Sequence, residues 1–177
     1  MLRKNIGFAN WLLAGTLLFG ILLSGAPPKT PRPLADVGID APGGKRIRLT
    51  DYKGKTLLIA ILATDCKHCQ DSIAILNEFQ RTYRAKGLQI IAAAVDAKAP
   101  QNLPEFIARL QPAFPVGTMT QDNTRRLADF GITDRPFVPI FMFVDKKGTV
   151  RFQYSGDDGF FKAEKQNTKN LIEVTLR

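Results

Sequence analysis

The sequence predicts an α/β domain, a mixed central sheet flanked by helices on both faces, preceded by an N-terminal apolar segment. Three observations point there. Two short apolar runs without a polar face, TLLIAILA at 56–63 and LQIIAAAV at 88–95, read as strands buried on both sides. Between them Cys69, Ile73, Leu76, Phe79 or Gln80, and Tyr83 recur at helical spacing. Near the end, the runs 140–144 and 150–154 bracket the turn sequence DKKGT as an antiparallel hairpin. A chain of 177 residues that is 45% hydrophobic buries one sizeable core, so a single globular domain is expected.

The first element is the segment 1–26. Arg3 and Lys4 precede an uncharged run, IGFANWLLAGTLLFGILLSGA at 6–26, which as a helix is roughly 30 Å long and matches the hydrocarbon layer of a bilayer. Ser24 and Ala26 also form a small-x-small site of the kind a signal peptidase cuts. A transmembrane anchor is favoured over a cleaved signal peptide, because the run exceeds the roughly 7–15 residues of a signal core and Pro27-Pro28 follows the candidate site directly. A buried helix of a soluble protein is disfavoured by the missing polar face. Positive charge ahead of the span keeps the N-terminus cytoplasmic and puts the domain on the extracytoplasmic side, in the periplasm or at the cell surface. Residues 27–33 read as a stiff Pro-rich linker, and 34–177 as the globular domain.

Within the domain, 37–39 and 46–50 form a leading hairpin around the turn-rich APGGK. The strand at 56–63 follows, then the helix opening at Cys66, with Gly87 as its C-cap. The strand at 88–95 completes a unit expected to be parallel, with a right-handed crossover. Asn102 is expected to cap the next helix, with Pro104 in its first turn and Pro112 ending it. FPVGTMT reads as a short strand, QDNTRRLADF as a short helix ending at Gly131, and the residues from Glu164 onward as a closing helix.

The net charge of +9 invites a nucleic-acid reading, but Arg3 and Lys4 belong to the targeting segment and no long Lys/Arg cluster follows. No nucleic-acid partner is expected. Lys146 and Lys147 read as a solvated hairpin tip, and Lys162, Lys165 and Lys169 as one wet helical face. The charge implies at most attraction to anionic lipid or to an acidic partner.

Chemistry concentrates in ATDCKHCQ at 63–70, which holds both cysteines, Cys66 and Cys69, and the only histidine, His68. A purely structural disulfide closing so short a loop contributes roughly 2 kcal/mol, against roughly 4.7 for a loop of about 100 residues, so rigidity is a poor reason for this spacing. Structural zinc wants about four ligands and finds two thiols with one imidazole wedged between them. Haem attachment needs histidine after the second cysteine, where Gln70 stands. Two thiolates alone can hold Cu(I), so a copper site stays open. Thiol exchange fits the position as well as the spacing. Cys66 lies where a buried strand meets a helix N-terminus, whose free N–H groups favour a thiolate. Lys67 and His68 add positive potential, and Cys69 faces inward on the helical stripe. Cys66 is therefore expected to attack and Cys69 to resolve.

The stretches GKTLLIAILATDCKHC, FPVGTMTQDNTRRLADFGI and VPIFMFVDKKGTV resemble the TlpA-type membrane-anchored thioredoxin-like proteins of the thiol:disulfide oxidoreductase class, over nearly all of 34–177. The resemblance implies a thioredoxin-like fold with a redox-active disulfide and an insertion, here 96–113. It also implies a cis-proline facing the cysteines, which maps onto Pro139 rather than Pro136, so that Val138 and Pro139 offer a backbone edge to an extended substrate. The sequence departs from the family at Asp65, where an aromatic residue is usual, and at Ala60, a position that is acidic in thioredoxin. Asp65 opposes the thiolate that Lys67 and His68 favour. The resemblance further implies exchange with cysteine-containing exported client proteins, as a reductant in cytochrome c or copper-site maturation, supplied by a membrane-embedded electron donor and needing no cofactor or metal. A peroxide-reducing relative is disfavoured because Ile59 and Ala63 stand where its Pro and Thr would be. The alternative from another class is a non-catalytic copper-binding chaperone that uses the two thiolates.

Overall fold

The computed structural model describes residues 29–134 and 136–177. The segment 1–26, expected to be a membrane anchor or signal peptide, lies outside the described residues, among which no helix is long and apolar enough to cross a membrane. In chain order the strands are β1 (Arg32–Pro33), β2 (Gly38–Ala41), β3 (Lys45–Arg48), β4 (Thr56–Leu62), β5 (Leu88–Ala94), β6 (Val116–Thr118), β7 (Ile140–Val144) and β8 (Thr149–Tyr154). The helices are α1 (Lys67–Tyr83), α2 (Ala99–Leu110), α3 (Gln121–Ala128) and α4 (Glu164–Leu176).

The strands form one sheet in the order β1-β8-β7-β4-β5-β6-β2-β3. β4, β5 and β6 run parallel, with Leu58 opposite Ile90 and Ala92 opposite Val116. β7 runs antiparallel to β4, and β8 to β7. All seven residues of β4 are buried, which is why the run carries no polar alternation. Its side chains divide between two cores. Leu58, Ala60 and Leu62 pack with α1, α2 and α4, whereas Leu57, Ile59 and Ile61 pack with Ile39, Leu49 and the Leu127-Ala128 end of α3. Each buried aliphatic side chain contributes on the order of 2 kcal/mol, so this strand anchors both layers.

α1 presents the expected stripe, since Cys69, Ile73, Leu76, Phe79, Gln80 and Tyr83 are all buried. A turn of 3-10 helix (Arg84–Lys86) follows it, and Gly87 ends that turn at φ 98, a conformation that costs a residue with a Cβ.

Three boundaries differ from the sequence reading. α2 starts at Ala99, so Asn102 lies inside the helix instead of capping it. Pro100 occupies the first turn, where a missing N–H costs nothing, and the Ala99 N–H reaches the Asp96 carbonyl at 2.9 Å. α3 ends at Asp129, in the left-handed region at φ 57, and not at Gly131; aspartate tolerates that region better than most residues. The Pro-rich linker is part of the domain from Arg32 onward. Arg32 and Pro33 pair with β8, and the Arg32 guanidinium donates to the Leu127 carbonyl at 2.9 Å and to Gln153 Oε1 at 2.6 Å.

Candidate active site

Cys66 stands where the chain leaves β4 and enters α1. Its backbone is extended (φ −84, ψ 113), and it is the N-cap residue of the helix. The turn into that position is closed by the Cys66 N–H on the Ala63 carbonyl at 3.3 Å. The sulfur takes the place of the usual capping oxygen, for Cys66 Sγ accepts the Cys69 N–H at 3.1 Å. A donor that every helix leaves unpaired is thus aimed at the sulfur.

Both cysteines are free thiols, Cys66 half-buried and Cys69 with no exposed surface. Burial pushes the Cys69 thiol well above the ordinary thiol range, and its hydrogen bond with Cys66 raises it further. One sulfur is reachable and the other is kept protonated beneath it.

Lys67 is exposed and directs its ammonium to Asp71, one turn along the helix. Asp65 is exposed and has no side-chain partner among the described residues; the cap is Cys66. His68 turns toward the start of α4. Its Nε2 lies 3.0 Å from Glu164 Oε2, and its ring makes a T-shaped contact with Phe161 at a centroid distance of 5.2 Å.

The register of β4 with β7 pairs Ile61 with Ile140. Ile140 is the last paired residue of β7 at the end of the sheet where β4 leads to Cys66, and Val138 and Pro139 directly precede it. The Val138–Pro139 peptide bond is cis. Pro139 is buried, and half-buried Val138 packs against both cores. Gly156 lets β8 close on this loop, since its N–H donates to the Phe137 carbonyl at 2.8 Å and a Cβ there would stand 2.6 Å from the Val138 oxygen.

The sequence reading missed the roles of five residues around this turn. Asp96, just past β5, accepts the Thr64 N–H at 2.7 Å and the Thr64 hydroxyl at 2.8 Å. The Asn102 amide donates to that same hydroxyl at 3.0 Å, and the Gln70 amide donates to the Thr64 carbonyl at 2.7 Å. Arg109 reaches Gln70 Oε1 at 3.3 Å. The α2 insertion is thereby fastened to the residue two before Cys66. Glu164 is the fifth, and on a lone sequence it reads only as the acidic first turn of a helix. Among the described residues no group of three or more metal-ligating side chains gathers.

The Redoxin family profile matches residues 31–172. The thiol-disulfide oxidoreductase ResA of Geobacillus thermodenitrificans is 31% identical over 61% of this chain and 59% of its own length. The ResA of Bacillus thuringiensis is 27% identical over 80% of this chain and 78% of its own. Among solved structures, a thiol:disulfide interchange protein DsbE from Chlorobium tepidum superposes with a TM-score of 0.72 at 25% identity, over 85% of this chain and 99% of that one.

Proposed function

Because the chain belongs to the Redoxin family, as a thiol-disulfide oxidoreductase of the TlpA/ResA type, we propose that Cys66 and Cys69 are its exchanging dithiol and that it reduces disulfides in exported proteins. The Cys66 thiolate attacks one sulfur of a client disulfide, forming a mixed disulfide and expelling a client thiolate, which is protonated. Cys69 gives up its proton and attacks the Cys66 sulfur, forming the Cys66–Cys69 disulfide and releasing the second client thiol. Two electrons pass to the client, and a membrane-embedded dithiol donor restores the enzyme. Clients of cytochrome c or copper-site maturation fit a reductant of this kind.

The observation that carries this reading is the asymmetry of the pair: the Cys66 sulfur is accessible and receives a helix N–H, while Cys69 is wholly buried. Client binding is supported by the loop before Pro139. Among the described residues three large apolar side chains are exposed, and two of them, Ile132 (86%) and Phe137 (63%), lie in the connection between α3 and β7 that leads to Pro139. An extended client segment lying along Val138 and Pro139 would cover them.

Trapping tests the assignment. Cys69→Ser is expected to accumulate covalent mixed disulfides on Cys66, and Cys66→Ser to accumulate none; the reverse pattern would overturn the roles. The extracytoplasmic placement follows from the charge ahead of the apolar segment, and is tested by labelling Cys69→Ser cells with a membrane-impermeant maleimide. Labelling is expected in intact cells, and labelling only after lysis would refute it.

A further inference from the structure

Glu164 is a buried acidic side chain beside this site that the exchange steps above do not use. Its side chain is only 9% exposed. One oxygen, Oε2, faces His68 Nε2 at 3.0 Å; the other, Oε1, is buried with no hydrogen-bond partner among the described residues. Thr168 Oγ1, one turn further along α4, is buried and unpartnered in the same way. A half-satisfied buried carboxylate adds little to stability and marks a group kept for another reason.

The atoms fix what Glu164 does to the ring. A carboxylate only accepts, so the nitrogen facing it, Nε2, carries a hydrogen whether the imidazole is neutral or charged. Nδ1 has no hydrogen-bond partner among the described residues. The ring is held from two sides, by Oε2 and by a T-shaped contact with Phe161 at a centroid distance of 5.2 Å. His68 itself lies two residues past Cys66, in the same first helical turn. The other charges around it are engaged or exposed. Lys67 is paired with Asp71 on α1, and Lys165 of α4 with Glu78, while Asp65 and Lys162 are exposed.

We propose that Glu164 is a positioning residue of the exchange reaction: it holds His68 as the Nε2–H tautomer, and so keeps the imidazole oriented in the helical turn that Cys66 caps. The proposal rests on the reading of Cys66 as the attacking sulfur. Failure of the mixed-disulfide trap would remove that reading, whereas the test below can fail with the trap intact.

The test is a double-mutant cycle on full-length protein, read by iodoacetamide alkylation of Cys66 across the acid, neutral and alkaline range. Glu164→Ala is expected to slow alkylation about threefold to tenfold on the acid side and to leave the alkaline rate unchanged. A merely structural defect would change the rate at every pH. Glu164→Gln keeps an acceptor at the same place and is expected to restore most of the acid-side rate. In a His68→Ala background Glu164→Ala is expected to add nothing, because the carboxylate acts through the ring. His68 is the only histidine, so imidazole nitrogen NMR reads it alone. The neutral-state proton is expected on Nε2 in the wild type and shared between both nitrogens in Glu164→Ala. An equal Glu164→Ala effect with and without His68, or a wild-type ring protonated on Nδ1, would overturn the proposal.

Discussion

The two flanks of the Cys66 turn are built on opposite terms. Toward α2, every polar group is answered: Thr64 has its N–H and hydroxyl on Asp96, its hydroxyl oxygen on Asn102 and its carbonyl on Gln70. Toward α4, the Glu164 carboxylate has one oxygen on a half-exposed imidazole and the other on nothing. Closed networks rigidify, and a buried acceptor left open costs on the order of 1–3 kcal/mol. One flank therefore fixes where Cys66 sits, and the other adjusts the chemistry around it.

The sharpest way to break this comparison is at Asp96. Asp96→Ala removes both acceptors of Thr64 and leaves its N–H, on a residue 5% exposed, without a partner. The expected loss is about 2–3 kcal/mol, since Asp96 is itself partly exposed and water can offset some of the cost. Chemical denaturation of the reduced protein measures it. Cys69 should also become open to alkylation well below the denaturation midpoint as the turn loosens. A loss under about 0.5 kcal/mol would mean that the network is decoration and that α2 does not hold the turn.

How the two flanks came to be seen differs as well. The strand-helix-strand unit and both cysteines were legible, because their signals are local: seven consecutive buried residues in β4, a stripe at helical spacing, and an anion-favouring helix start. The site's supports are not local. Asp96 lies 32 residues from Thr64, Asn102 lies 38 from it, and Glu164 lies 96 from His68. Asparagine before an apolar helix favours the cap position, which hides Asn102 as a partner of Thr64, whereas the helix already starts at Ala99 with Pro100 in its first turn. Glu164 in the first turn of α4 satisfies the helix dipole whatever it touches, so its local setting conceals its partner. Composition at a helix end shows where a helix begins; only the packing of Phe160 and Phe161, in the 3-10 turn Gly159–Ala163 ahead of α4, under β7 brings that end to the cysteine turn.

The smallest expected effect sharpens the same contrast from the other side. Glu164→Leu removes a buried carboxylate, fills its volume with an apolar side chain and leaves His68, which is 39% exposed, to water. Replacing a buried ionic group by a hydrophobe is neutral or stabilising in many proteins, because the desolvation cost of the charge disappears with it. The folding free energy is accordingly expected to change by less than about 1 kcal/mol, and to rise if it changes at all. Denaturation beside the Asp96→Ala protein provides the comparison. A loss as large as that of Asp96→Ala would show that Glu164 is a structural member of the turn, and the division of labour between the flanks would fail; stability retained alongside slower acid-side alkylation places the residue with the chemistry, because only the ring it holds is left to carry the effect.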